Sequence, residues 1–167
     1  LAPFGQPKYT KLIFENLIDL KEDGSFKLDM SYFNYHTGLT MTNDKFAQLF
    51  GRPPRKPESE ITKLYMDLAA SIQKVTEEVV VKIAQYVKTQ TGQENLCLSG
   101  GVALNCVSNG RLYREGIFKN IWIQPASGDA GSALGAALYV WYQYLDNERD
   151  STDLLDRQSN SYLGTKY

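Results

Sequence analysis

The stretch Leu96-Cys97-Leu98-Ser99-Gly100-Gly101-Val102-Ala103-Leu104-Asn105 constrains this chain more than any other. A short apolar run ends in two glycines and passes directly into a helix-compatible sequence. That order predicts a strand, a tight turn and a helix N-terminus, the arrangement by which α/β folds hold anions. Gly100 and Gly101 lack a Cβ, so a ligand can approach the backbone there, and the first amides of the helix are free to donate. The design repeats: Ile121 to Gln124 reads as a strand, Pro125-Ala126-Ser127-Gly128-Asp129 as a turn, and Ala130 to Leu145 as a helix. Two parallel strands delivering two loops to one sheet edge mark the position where such folds place ligands, here half of a nucleotide site.

A length of 167 residues suits one domain with a real core, and 43% hydrophobic with 22% charged residues is ordinary for a soluble globular chain. A net charge of −1 gives no reason to expect binding to nucleic acid or to an anionic membrane. No apolar run approaches the roughly 20 residues of a membrane span. The start, Leu1-Ala2-Pro3-Phe4-Gly5, has neither an initiator Met nor a signal-peptide pattern, which predicts a piece of a longer, cytoplasmic polypeptide. Cys97 and Cys106 lack a CxxC spacing and read as buried, reduced thiols.

Upstream of these units, residues 1 to 11 are Pro/Gly-punctuated and basic, which predicts a loop. An apolar-rich run from Leu12 to Leu20 follows, and Phe26, Leu28 and Met30 alternate with Lys27 and Asp29. With Asp23-Gly24 between them, these runs predict an antiparallel hairpin, continued by Tyr32, Phe33 and Tyr35. Thr42-Asn43-Asp44 caps a short helix, Lys45 to Phe50, stopped by Gly51. Arg52-Pro53-Pro54-Arg55-Lys56-Pro57 has too many prolines for regular structure and reads as a surface loop, its cations either solvated or facing an anion. From Ile61 to Gln90 apolar residues recur every three or four positions, which predicts a helix of roughly 45 Å capped by Ser59 and ended by Gly92. This is the expected central packing helix.

In the helix after the glycines, which is expected to end near Gly116, Asn105 lies one turn on. It either reaches a ligand on the loop or sits on a solvent or packing face. Asp129 has two readings as well: an N-cap for the second helix, or a carboxylate placed for a divalent cation beside phosphates. His36, the single histidine, sits in a turn-like context and reads as a surface residue. Chemistry alone stops at an α/β domain with half of a nucleotide- or phosphate-binding cleft.

Five segments carry the inference further: Leu1 to Tyr9, Pro53-Pro54-Arg55, Met66 to Ser71, Leu98 to Asn105, and Pro125 to Gly131. Together they resemble the O-carbamoyltransferases of nodulation-factor and antibiotic biosynthesis. That family is similar, in its first domain, to the tRNA threonylcarbamoyl transferases, an actin-like ATPase fold of two ribonuclease-H-like lobes. The resemblance implies that residues 1–147 are the C-terminal lobe of that domain and that 148–167 lead toward an adenylate-forming domain.

By the same resemblance the whole protein uses ATP and carbamoyl phosphate to form carbamoyl adenylate. It then passes the carbamoyl group to a hydroxyl of a sugar or antibiotic-like acceptor. Ser99, Gly100, Gly101, Val102, Asn105 and Gly128 are implied to hold the nucleotide, and Asp129 to be a ligand of a divalent metal, iron in this family. Two histidines of the other lobe would complete that metal site, and they lie upstream of this sequence. The partners implied are small molecules and the remaining domains of the same polypeptide, with neither nucleic acid nor membrane. The piece alone is expected to be inactive. Rival classes are a threonylcarbamoyl transferase or sugar kinase of the same fold, or a non-catalytic nucleotide-binding module.

Overall fold

A computed structural model describes residues 1–149. The chain forms two compact units, the first Leu1–Gly92 and the second opening at Gln93.

In the first unit, helix α1 (Thr10–Asn16) leads into strands β1 (Ile18–Leu20) and β2 (Phe26–Leu28), followed by α2 (Asp44–Leu49) and α3 (Lys63–Thr91). The antiparallel hairpin has the expected register, Ile18 opposite Leu28 and Leu20 opposite Phe26. Its turn is held by Asp23, whose Oδ1 accepts the Ser25 amide at 3.0 Å and the Ser25 hydroxyl at 2.6 Å. Gly24 has φ +81°, and a Cβ there would lie 2.5 Å from the Ile83 amide nitrogen, so the hairpin tip rests directly on the backbone of α3. Ile13, Leu17, Ile18, Tyr32, Val75 and Val79 form the core, into which α3 supplies one side of its apolar stripe.

Several expectations shift here. The apolar run from Leu12 is helical as far as Asn16, so β1 is short and the basic N-terminal stretch already includes the first turn of α1. The aromatic segment does not extend the hairpin: Met30–Tyr32 is a 3-10 turn capped by Asp29, and Phe33 only bridges Thr42. Asn43 caps α2, its side chain accepting the Phe46 amide at 3.2 Å. Thr62, not Ser59, precedes α3, because the Ser59 hydroxyl is turned back onto the Lys56 carbonyl at 2.7 Å. Gly92 closes α3 in the left-handed region at φ +64°, donating to the Lys88 carbonyl.

The N-terminal segment is latched onto α3. Asp67, its side chain 4% exposed, accepts the Gln6 amide at 2.8 Å and pairs with Lys8 at 3.0 Å and Lys63 at 3.4 Å. Fully buried Ser71 accepts the Tyr9 amide at 3.0 Å and donates to the Asp67 carbonyl at 2.6 Å. A Cβ on Gly5 would fall 1.9 Å from the Met66 carbonyl oxygen, so the segment meets the helix backbone to backbone. Leu1 to Tyr9 and Met66 to Ser71, two of the stretches that carry the resemblance, are thus one packing device.

The second unit pairs β3 (Asn95–Leu98) with β4 (Asn120–Ile123) in parallel, Leu96 beside Ile121 and Cys97 beside Trp122. Helix α4 (Cys106–Glu115) ends at Gly116 in the left-handed region, and α5 (Gly131–Tyr139) runs on as a π-helical turn, Val140–Tyr144. Both cysteines are free but exposed, which corrects the expectation of buried thiols. The strand period places Cys97 with Trp122 on the outward face of the sheet, and Cys106 is the first residue of its helix. No helix among the described residues is long and apolar enough to cross a membrane. The expected connector, 148–167, lies beyond the described residues except for its first two positions.

Candidate functional site

Parallel pairing of β3 and β4 brings both glycine loops to the same end of the sheet, and a single hydrogen bond ties them together. The Gly100 amide donates to the Ser127 carbonyl at 2.9 Å. Gly100 has φ +99°, a conformation glycine reaches without strain, and a Cβ on either Gly100 or Gly101 would meet only open space. The two loops border a cleft of about 460 Å³.

Of the residues expected at the site, Ser99, Gly100, Gly101, Gly128 and Asp129 line this cleft. Val102 and Asn105 are not among its lining residues. The reason is local: α4 does not begin at the glycines. A 3-10 turn, Gly101–Leu104, comes first, and the helix opens only after Asn105, whose Oδ1 accepts the Ser108 amide at 3.1 Å. Asn105 is therefore the N-cap of α4, a role between the two readings offered by the sequence. The Gly101 and Val102 amides carry no hydrogen bond among the described residues, which leaves two donors at the start of the 3-10 turn.

Asp129 is exposed at the rim of the cleft. Helix α5 takes Ala130 as its N-cap with no side-chain bond, so the capping reading of Asp129 does not hold in this structure. Its backbone carbonyl accepts the Ser132 amide at 3.2 Å, while its carboxylate makes no hydrogen bond or ion pair among the described residues. Gly131 has a firmer steric reason than loop freedom: a Cβ there would lie 2.0 Å from the Ala126 carbonyl oxygen.

Sequence reasoning passed over Ser127, which is 5% exposed, lines the cleft, and has a hydroxyl without a hydrogen-bond partner among the described residues. Buried hydroxyls are normally satisfied, so this one marks a point where a ligand or water would bind. Its signal was present in the Ser-Gly-Asp turn, which matched the Ser-Gly-Gly of the first loop. Gln124 also lines the cleft, and its Oε1 holds the Ala126 amide at 3.1 Å.

The site has the chemistry of an anion cradle: open glycine backbone, unbonded amides and an unsatisfied hydroxyl. As a metal site it is incomplete. Among the described residues no group of three or more His, Cys, Asp or Glu side chains is placed to hold a metal, and Asp129 contributes a single carboxylate.

The architecture defines an α/β chain whose paired βα units bring two glycine loops to one cleft. Comparison with known proteins is specific: the family described as Carbamoyltransferase N-terminus matches residues 1–138, and the chain belongs to this carbamoyltransferase family. It is 64% identical over its whole length to protein sll1178 of Synechocystis sp., of which it covers 27%. It is 34% identical to nodulation protein NolNO of Sinorhizobium fredii over 98% of the chain and 22% of that protein. Nodulation protein NolO of Bradyrhizobium diazoefficiens is 34% identical over 84% of the chain and 24% of its own length. The chain spans about a quarter of the length of these relatives.

Proposed function

We propose that this chain is part of an ATP-dependent O-carbamoyltransferase and forms one wall of its nucleotide site. In this reading the chain is the C-terminal lobe of an actin-like domain, with the other lobe and an adenylate-forming domain elsewhere in the polypeptide. The observation that carries it is the hydrogen-bonded pair of glycine loops, with open backbone at Gly100 and Gly101 and the unsatisfied Ser127 hydroxyl in one cleft.

Phosphate oxygens need donors, and the Gly101 amide and the Ser127 hydroxyl, both of residues that line the cleft, would supply them without a cation. Amides fixed in a turn are already oriented, so they stabilise charge on a bound adenylate with little reorganisation. Holding the acyl donor against an acceptor hydroxyl is the remaining task, met by positioning. The whole protein would take ATP, carbamoyl phosphate and a hydroxylated small-molecule acceptor, with carbamoyl adenylate as the intermediate. Asp129 is proposed as one ligand of a divalent metal, iron by family resemblance. The donor set of this chain does not fit a complete metal site, so no step is assigned to a metal here.

The test is ATP binding to the purified chain, followed calorimetrically and by the amide resonances of Gly100, Gly101 and Ser127. Gly101→Asp places a carboxylate in open space without a clash and should weaken ATP by at least about tenfold, the effect of setting a like charge against the phosphates. Equal affinity in the variant would place the nucleotide elsewhere. In the whole protein, a phosphorylated product would indicate the sugar kinase, and dependence on a tRNA acceptor the threonylcarbamoyl transferase.

A further inference from the structure

The first unit holds a second concavity, unrelated to the glycine loops. An apolar cavity of about 360 Å³ reaches the core between α1, the hairpin and α3, walled by Ile13, Leu17, Leu28, Phe33, Ile72 and Val75. Beside it, a smaller pocket of about 210 Å³ is lined by Arg52, Pro53, Pro54, Arg55, Leu64 and Tyr65. Thr42, Phe46, Phe50 and Leu68 belong to both, so the two are compartments of one cleft.

The cleft is amphiphilic end to end. Thr42 supplies the one side-chain hydroxyl of the inner compartment, and the rest of its lining is hydrocarbon and aromatic. The outer compartment ends at a rigid cationic loop. Three prolines restrict its backbone, Glu58 sits at φ +57°, the Ser59 hydroxyl binds the Lys56 carbonyl, and Arg55 donates to the Ser59 carbonyl. No carboxylate pairs with Arg52, Arg55 or Lys56 among the described residues, although Glu58 and Glu60 follow in sequence. Protein cores pack to crystal density, so an apolar cleft of this size reaching a core offers room for an apolar ligand. Apolar cavities stay dry and take apolar ligands, and guanidinium groups suit planar or tetrahedral oxyanions.

We propose that this cleft binds a small amphiphilic anion, a short hydrocarbon chain or ring bearing a carboxylate or phosphate. The apolar part lies against Leu17, Phe46 and Val75, and the headgroup meets Arg52 and Arg55 at the mouth. The inference is independent of the nucleotide cleft, which involves none of these residues.

The experiment titrates the chain with octanoate, octyl phosphate, octanol and acetate, reading Kd by calorimetry and location by methyl resonances of Leu17, Leu68 and Val75. At least one of the two chain-bearing anions should bind about tenfold or more tighter than octanol, the scale of hydrogen bonds to a charged group. Acetate should show no comparable binding. Which anion binds names the headgroup. Arg52→Gln with Arg55→Gln, both on the exposed loop, should bring the anion to the affinity of octanol while leaving octanol unchanged. Ala69→Phe, which fills the inner compartment from α3, should weaken every chain-bearing probe. The proposal is overturned if octanol matches the anions, if the arginine variant binds them as the wild type does, or if the Leu17 and Val75 methyls do not shift. Failure of every probe to bind overturns it too, the cleft then being filled by protein.

Discussion

Gly24 and Gly92 have similar backbone and opposite surroundings, and the pair separates two physical costs. Both lie in the left-handed region, at φ +81° and +64°, but only Gly24 has α3 backbone where its side chain would go. Gly92→Ala should cost about 1 kcal/mol, the strain of an alanine in that region, while Gly24→Ala adds overpacking and should cost about 2–4 kcal/mol. Urea titrations of both variants measure the difference, and equal losses would mean that the hairpin tip does not sit on the helix. Asp67 allows a test in pH. The Gln6 amide, then the Lys8 ammonium, hold its carboxyl below the ordinary 3.8. The unfolded chain therefore takes up the proton first, so this stabilisation is complete above about pH 5 and is lost as pH falls through the lowered value. Asp67→Asn should melt lower at neutral pH and lose less than wild type between pH 5 and 3, read as Tm by circular dichroism. At Asp129, with no capping bond to lose, Asp129→Asn should leave chain stability within about 0.5 kcal/mol of wild type. In metal-free buffer it should tighten ATP about threefold by removing a like charge worth roughly 0.6 kcal/mol.

Helix caps and turns were the most legible elements, because each rests on a side chain with its own local chemistry. Asp23-Gly24 announced the hairpin, Asn43 the start of α2, and Gly92 and Gly116 the ends of α3 and α4. The 3-10 turn between Gly101 and Leu104 was hidden, since Val-Ala-Leu is equally compatible with a helix. The Asn105 bond to Ser108 marks where α4 starts. That bond predicts a loss of about 1 kcal/mol for Asn105→Ala, measured by denaturant unfolding, with fraying confined to the first turn of α4 in hydrogen exchange. Ser59 misled for a related reason: its hydroxyl donates to the Lys56 carbonyl in a local turn, and the helix opens only at Lys63. Exposure of Cys97 could not be read from composition, because it depends on which face of β3 is covered, and alternation alone does not say. In the cleft, the glycines and Asp129 were legible by type, whereas Ser127 emerged only from its burial and missing partner.

At the scale of the molecule, α5 stands out, with no buried residue despite an almost wholly apolar sequence. Leu138, Tyr139, Val140, Trp141, Tyr144 and Leu145 are each at least 43% exposed. A helix apolar on all sides belongs in a core, and a surface of this kind drives association when left bare. The purified chain should therefore sediment with concentration-dependent mass, and Leu138→Lys with Trp141→Lys should restore a monomer without lowering Tm. A monomeric wild type at high concentration would mean that this surface is already covered.

The latch on α3 has a consequence in time. Gln6 and Asp67 are 61 residues apart in sequence, so their contact closes a long loop. Ribosomes add roughly 5–20 residues each second, and the N-terminal segment therefore waits several seconds for the helix that receives it. During that interval the Gln6 and Tyr9 amides and Lys8 lack their acceptors on α3, and the first unit cannot complete its fold. Order of synthesis thus makes this segment, made ahead of the helix that receives it, among the last parts of the unit to settle.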